Sequence, residues 1–155
     1  MMKELALKTG TTDYMVLLSV TMILLSKYSR QKDIVVGSPI SGRNHHDTEK
    51  MLGMFVNTLA LRGCVEKTKS YNDFLAEIKE TCLAAYDNQE YPFEELVEEV
   101  CVNRDMSRNP LFDIMFAVQN NAVYDDMFGQ KDLQTIQKLD HEVSKFDISI
   151  SAVSY

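Results

Sequence analysis

Gly53-Met54-Phe55-Val56-Asn57-Thr58-Leu59-Ala60-Leu61-Arg62 is the stretch on which the fold turns. From Phe55, apolar and polar residues alternate in part as far as Cys64 and Val65, and Gly53 and Gly63 bound the run. That composition predicts a mostly buried central strand over 55–64. Asn57 is its awkward member. An amide on a buried strand must partner its donors and its acceptor, or cost roughly 1–3 kcal/mol. Two readings stand side by side: Asn57 caps a bend at the start of the strand, or it faces a substrate channel.

Upstream, Ile34-Val35-Val36 is a continuous β-branched run that suits a strand buried on both faces, predicted over 34–38. Gly37-Ser38-Pro39-Ile40-Ser41-Gly42-Arg43 is expected to break it into a tight loop. Before it, Thr11 or Thr12 is a fitting N-cap and Asp13 suits the helix dipole, which predicts a helix over 12–28. That helix is apolar on nearly every side, so burial is expected. Its run from Tyr14 to Leu25 contains Ser19 and Thr21 and falls short of the roughly 20 residues that cross a bilayer.

Downstream, Ser70 to Asp73 resembles a capping box. Phe74, Leu75, Ile78, Cys82, Leu83 and Tyr86 then keep helical spacing, which predicts an amphipathic helix over 70–88. Pro92 opens another over 92–100, with Phe93, Leu96, Val97 and Val100 inward and Glu94, Glu95, Glu98 and Glu99 on a solvated face. Arg104 to Pro110 carries charges of both signs and reads as a loop pinned by ion pairs. Leu111 to Val118 predicts a strand near 112–119 with Asp113 out of place in it, and 145–151 alternates as a last strand.

The 155 residues are 45% hydrophobic, enough for one ordinary core. A net charge of -7 with no basic run argues against nucleic acid as a partner. Cys64, Cys82 and Cys101 have neither disulfide nor zinc spacing and fit a reducing cytoplasm. His45, His46 and His141 lie in polar or unpatterned segments, where solvated histidine is the expectation.

Four stretches together resemble one family, the condensation domain of nonribosomal peptide synthetases. Residues 28–43 are similar to its Gly-Gln-x-Asp-Ile-x-x-Gly-x-Pro-x-x-Gly-Arg segment, and 52–62 to Ile-Gly-x-Phe-Val-Asn-Thr-x-x-x-Arg. Residues 88–97 resemble His-Gln-x-x-Pro-Phe-Glu-x-Leu-Val, with Asn88 where the family has His. Residues 104–116 resemble Arg-Asp-x-Ser-Arg-x-Pro-Leu-Phe-x-x-x-Phe. The signature His-His-x-x-x-Asp-Gly is missing, since His45-His46 leads to Lys50 and Met51 where Asp and Gly should stand.

The resemblance implies an α/β sandwich, a chloramphenicol acetyltransferase-like lobe with a mixed sheet covered by helices. Residues 1–155 would be a partial condensation domain, its C-terminal lobe without the N-terminal one. The family joins carrier-tethered aminoacyl and peptidyl thioesters by an amide bond, so the implied partners are carrier-protein domains, the other lobe and adjoining synthetase domains. Nucleic acid and membrane are not expected. No cofactor binds directly, because substrates ride on the carriers' phosphopantetheine. No residue here is assigned as catalytic, and the piece alone is expected to be inactive. Asn57 is the first candidate for the substrate tunnel, with Ser38 and Arg43 beside it. Arg62, Arg104, Asp105 and Arg108 are read as structural, and an ion pair that holds loops is the competing reading for Arg43 and Arg62. An epimerisation or heterocyclisation lobe, or a non-catalytic carrier-binding module, are the alternatives.

Overall fold

The computed structural model describes residues 2–43, 45–48, 51–100, 108–120 and 144–154. Helix α1 (Met2–Thr9) precedes α2 (Asp13–Ser29), β1 (Asp33–Ile40), β2 (Asn57–Cys64), α3 (Tyr71–Asp87), α4 (Phe93–Val100), β3 (Ile114–Asn120) and β4 (Ile148–Ser154). The strands form one mixed sheet in the order β2-β1-β3-β4. β1 and β2 run antiparallel, with Val36 opposite Leu61 and Ser38 opposite Leu59, whereas β1–β3 and β3–β4 are parallel. The α/β sandwich expected from the sequence is therefore the architecture found.

Alternation along the strands decides what each face meets. Ile34 and Val36 of β1, Leu59 and Leu61 of β2 and Phe116 of β3 lie under Met15, Leu18, Met22 and Leu25 of α2 and Phe74, Ile78 and Cys82 of α3. Ala6, Val16 and Leu75 make a smaller cluster that seats α1, a helix the mixed composition of the first ten residues did not announce. Gly37 projects to the other face. A Cβ there would come within 2.1–2.7 Å of the Phe112 ring, so any larger residue displaces that ring. Phe112 in turn packs at 5.5 Å from Phe93 and 5.9 Å from Phe146.

Both long helices start as their sequences require. Thr12 accepts the Met15 N–H at 3.3 Å, and Ser70 accepts the Asp73 N–H at 3.2 Å. The Asp73 carboxylate takes the Ser70 hydroxyl at 2.7 Å instead of completing a standard box. Within α2, Ser19 and Thr21 donate to the carbonyls of Val16 and Leu17 at 2.8 Å, so burial leaves neither hydroxyl unpaired. Among the described residues no single helix is long and apolar enough to cross a membrane.

Several expectations need correction. The strand of 55–64 starts at Asn57 and is an edge of the described sheet, whose inner strands are β1 and β3. β1 does not break at Gly37: its pairing with β2 continues to Ile40↔Asn57, so the loop begins only at Ser41. Leu111 has a left-handed φ of 66°, which delays β3 to Ile114 and leaves Asp113 outside the strand. α2 is not buried all round, because Val20, Leu24 and Tyr28 form an exposed line one turn apart. Leu83 and Val100, both expected inside, are 47% and 56% exposed.

Candidate functional site

Parallel β1 and β3 end side by side, and a cavity of about 610 Å³ opens there. The carboxyl ends of neighbouring parallel strands are where open α/β sheets hold ligands. Ser38, Pro39 and Ile40 of β1, Leu59 of β2, Val118 of β3 and Gln89 after α3 contribute to its wall. Tyr14, in the first turn of α2, and Tyr86, near the end of α3, close the side toward the helices.

The wall is mixed: Pro39, Ile40, Leu59, Ala117 and Val118 supply its apolar part, and Tyr14, Ser38, Tyr86, Gln89 and Gln119 its polar groups. Ser38 is 5% exposed, and its Oγ accepts the Tyr14 hydroxyl at 2.7 Å. Tyr14 is held in place by tilted contact with the Phe116 ring, 5.5 Å between centroids. Burial drives the Tyr14 pKa well above the ordinary phenol range, and the Ser38 hydrogen bond only partly opposes that. Burial, with the Cys82 thiolate as a smaller contribution, also pushes Tyr86 up to about 12. Both phenols stay protonated at neutral pH, and Tyr14 is a donor to Ser38. Neither has the low pKa a general base needs.

Asn57 and Arg43 stand apart from this hydroxyl pair. Asn57 opens β2, and its amide gives one N–H to the Gln89 carbonyl at 2.8 Å and the other to the Tyr91 carbonyl at 2.9 Å. Its oxygen takes the Thr58 N–H at 2.8 Å. The amide fastens the start of β2 to the α3–α4 connection, which is the strand-start reading with its partners named. It also lines a second cavity of about 500 Å³ with Gly42, His45 and Phe55.

The Arg43 guanidinium donates to the carbonyls of Thr48, Met51 (2.9 Å) and Gly53 (3.3 Å), and lies 4.4 Å over the Phe55 ring. Arg43 thus ties its loop together through backbone carbonyls. A Cβ on Gly42 would fall 2.3 Å from the Phe55 carbonyl oxygen, so glycine is needed where this loop crosses the chain before β2.

Arg62 reaches diagonally across the β2–β1 ladder and forms a two-point pair with Asp33, at 2.8 and 2.7 Å. Arg108 pairs with Asp113, the residue that looked misplaced as a strand member. Arg104, Asp105, Cys101 and His141 lie outside the described residues. Asn88 caps the end of α3, its side-chain N–H on the Ala84 carbonyl at 2.8 Å. His45 is exposed and 3.4 Å from Asp47. Tyr14 escaped the sequence reading because its partner is 24 residues away. The one available signal was a phenol in the first turn of an otherwise apolar helix.

The structure links the four motifs in pairs. Gly37 of the first receives Phe112 of the fourth, and Asn57 of the second holds the backbone of the third at Gln89 and Tyr91. Comparison with known proteins agrees with that arrangement. The family profile described as "Condensation domain" matches residues 1–154. Gramicidin S synthase 2 of Aneurinibacillus migulanus is 50% identical over 157 residues, 98% of this chain. Tyrocidine synthase 3 of Brevibacillus parabrevis is 47% identical over 151 residues, 97% of it. The chain spans only 3% and 2% of those two proteins. Among solved structures, a four-domain nonribosomal peptide synthetase bound to AMP and glycine superposes with a TM-score of 0.74 at 29% identity, over 76% of this chain and 9% of its own. The X-domain from teicoplanin biosynthesis superposes with a TM-score of 0.84 at 18% identity, over 99% of this chain and 34% of its own.

Proposed function

From the premise that the chain belongs to the condensation-domain family, its profile matching residues 1–154, we propose that it is one wall of the tunnel in which a synthetase joins two tethered substrates. The amine of one aminoacyl thioester attacks the carbonyl of the other. A C–N bond forms, the C–S bond breaks, the amine proton leaves, and the donor thiol is released. The substrates ride on the phosphopantetheine arms of carrier domains, in the cytoplasm. A second lobe carrying the histidine motif supplies the proton route.

One observation carries this reading: the cavity at the carboxyl ends of β1 and β3, to which three of the four motifs contribute through Ser38, Leu59 and Gln89. A partly apolar wall with a hydroxyl held in place by Tyr14 suits a reaction whose charge appears on one carbonyl oxygen. In this assignment Ser38 faces substrate. Asn57 and Arg43 keep the tunnel-wall role by holding the backbone that shapes it, and Arg62 and Arg108 hold neighbouring chain segments.

The test uses the complete condensation domain with carriers loaded as aminoacyl thioesters, and mass spectrometry of the acceptor carrier. Ser38→Ala should lower the single-turnover rate about 10²-fold, the usual loss for one donor at a developing oxyanion. An unchanged rate would remove Ser38 from the tunnel. Residues 1–155 alone should form no amide, and product from them would overturn the division of labour between lobes.

A further inference from the structure

We infer that Tyr14 is a positioning residue that occupies one acceptor position of Ser38 and leaves its hydroxyl proton to donate to the substrate oxygen that gains negative charge. The inference rests on the assignment of Ser38 to the tunnel wall and adds a residue and a direction to it.

The geometry runs one way. The phenol of Tyr14 donates and Ser38 Oγ accepts at 2.7 Å. A serine hydroxyl has one proton and can accept two hydrogen bonds. With an acceptor position filled by Tyr14, the proton of Ser38 is left to give, and no described residue receives it. Ser38 is buried but for the face it turns to the cavity, so an acceptor inside the cavity is the partner it lacks. A carbonyl or thioester oxygen fits that need, and the reacting amine's lone pair is the one that attacks the carbonyl carbon.

Polarisation adds to orientation. A hydroxyl that accepts a hydrogen bond becomes a better donor, and the effect grows where water is excluded. Tyr14 itself cannot rotate away easily, because its ring packs on Phe116 and sits at the start of a helix capped by Thr12. Burial keeps its proton on throughout the neutral range. The pair is therefore set before substrate arrives, as electrostatic stabilisation of a transition state requires.

The experiment is a double-mutant cycle in the complete condensation domain, read as single-turnover rate and substrate KM. Tyr14→Phe should lower the rate about 3–10-fold, the worth of one net hydrogen bond, with KM little changed. Tyr14→Phe with Ser38→Ala should be no slower than Ser38→Ala alone, because the phenol acts only through that hydroxyl. Ser38→Thr, which keeps a hydroxyl, should recover much of the rate. Losses that multiply, or a Tyr14→Phe rate equal to the parent's, would overturn the inference and leave the role of Ser38 standing. A Ser38→Ala rate equal to the parent's would instead remove the underlying assignment. Failure of Tyr14→Phe to fold would also overturn it, since the phenol's task would then be structural.

Discussion

Two polar clusters lie on either side of Gln89, and they differ in what they leave over. Around Asn57 and Arg43 every donor named above ends on a backbone carbonyl: two for the amide, three for the guanidinium. At Tyr14 and Ser38 the phenol donates to a serine hydroxyl, and both residues line a cavity. The Asn57 amide is complete without a ligand, whereas the hydroxyl pair, as inferred above, is not. Polarity in an apolar setting is thus a poor guide to function until the partners are counted. A saturated group shapes a wall, and one with a donor to spare can act on what the wall encloses.

The harshest way to break this comparison is to disturb the strand both clusters depend on. Gly37 lies beside Ser38, and the Phe112 ring occupies the place of its missing side chain. Gly37→Val should leave little folded protein. Phe112→Ala should lower stability by about 3–5 kcal/mol in denaturant unfolding. A Gly37→Val protein with the parent's melting temperature would show that the ring can move aside and that β1 is not so constrained.

A gentler cut separates the clusters themselves. Asn57→Ala removes three hydrogen bonds, and about 1–3 kcal/mol of stability should go with them. Arg43→Ala releases a more exposed loop and should cost about 1 kcal/mol. In both variants the single-turnover rate per folded molecule should stay within a few-fold of the parent. That is the reverse of the pattern expected for Ser38→Ala. A large rate loss at an unchanged melting temperature in Asn57→Ala would assign the amide to substrate instead of to Gln89 and Tyr91.

What could be read in the sequence follows the range of the forces involved. Helices α2, α3 and α4 were legible because caps at Thr12 and Ser70 and the periodic apolar residues are local signals. The strand at 57–64 was legible from its alternation, but not its place at the sheet edge, since pairing order depends on residues far away. Gly37 and Pro39 read as strand breakers. Tertiary packing overrode them, because Gly37 makes room for Phe112 and Pro39 still sits opposite Thr58 in the ladder. The candidate site was half legible. Asn57, Ser38 and Arg43 stood out as polar residues within motifs, but only the fold could show that Tyr14 reaches Ser38.

A smaller effect probes the helix side of the cavity. Burial raises Tyr86 from 10.0 to about 12 and Cys82 from 9.0 to about 11. The folded protein keeps these protons at a pH where the unfolded chain has lost them. Their contribution is therefore whole below about pH 9 and falls away as pH rises toward 12. Melting temperature should decline over that window, and Cys82→Ala should delay the onset. A flat profile from pH 8 to 11 would mean that these groups are as accessible as in the unfolded chain.

The smallest expected effect belongs to Arg62, the counterpart of Arg43 on the exposed side of the sheet. Each guanidinium binds oxygen at more than one point, but Arg43 meets carbonyls of one loop, whereas Arg62 meets the Asp33 carboxylate in water. Hydrogen bonding to Arg62 holds the Asp33 carboxyl below its ordinary value of 3.8. The pair therefore contributes above that ordinary value, and the contribution is lost as pH falls through the lowered one. Water and salt screen such a pair, and its two-point geometry offsets that only in part. Arg62→Leu should shift the melting temperature at pH 7 by less than Asn57→Ala does. The difference from the parent should shrink in about 1 M salt, where screening acts within roughly 3 Å, and again in acid once Asp33 is protonated. Asp33→Asn should behave alike, and the two changes together should do little more than either alone. A shift that survives both salt and acid would mean that Arg62 acts through packing of its aliphatic stem on Val35, its neighbour across the ladder, and not through its charge.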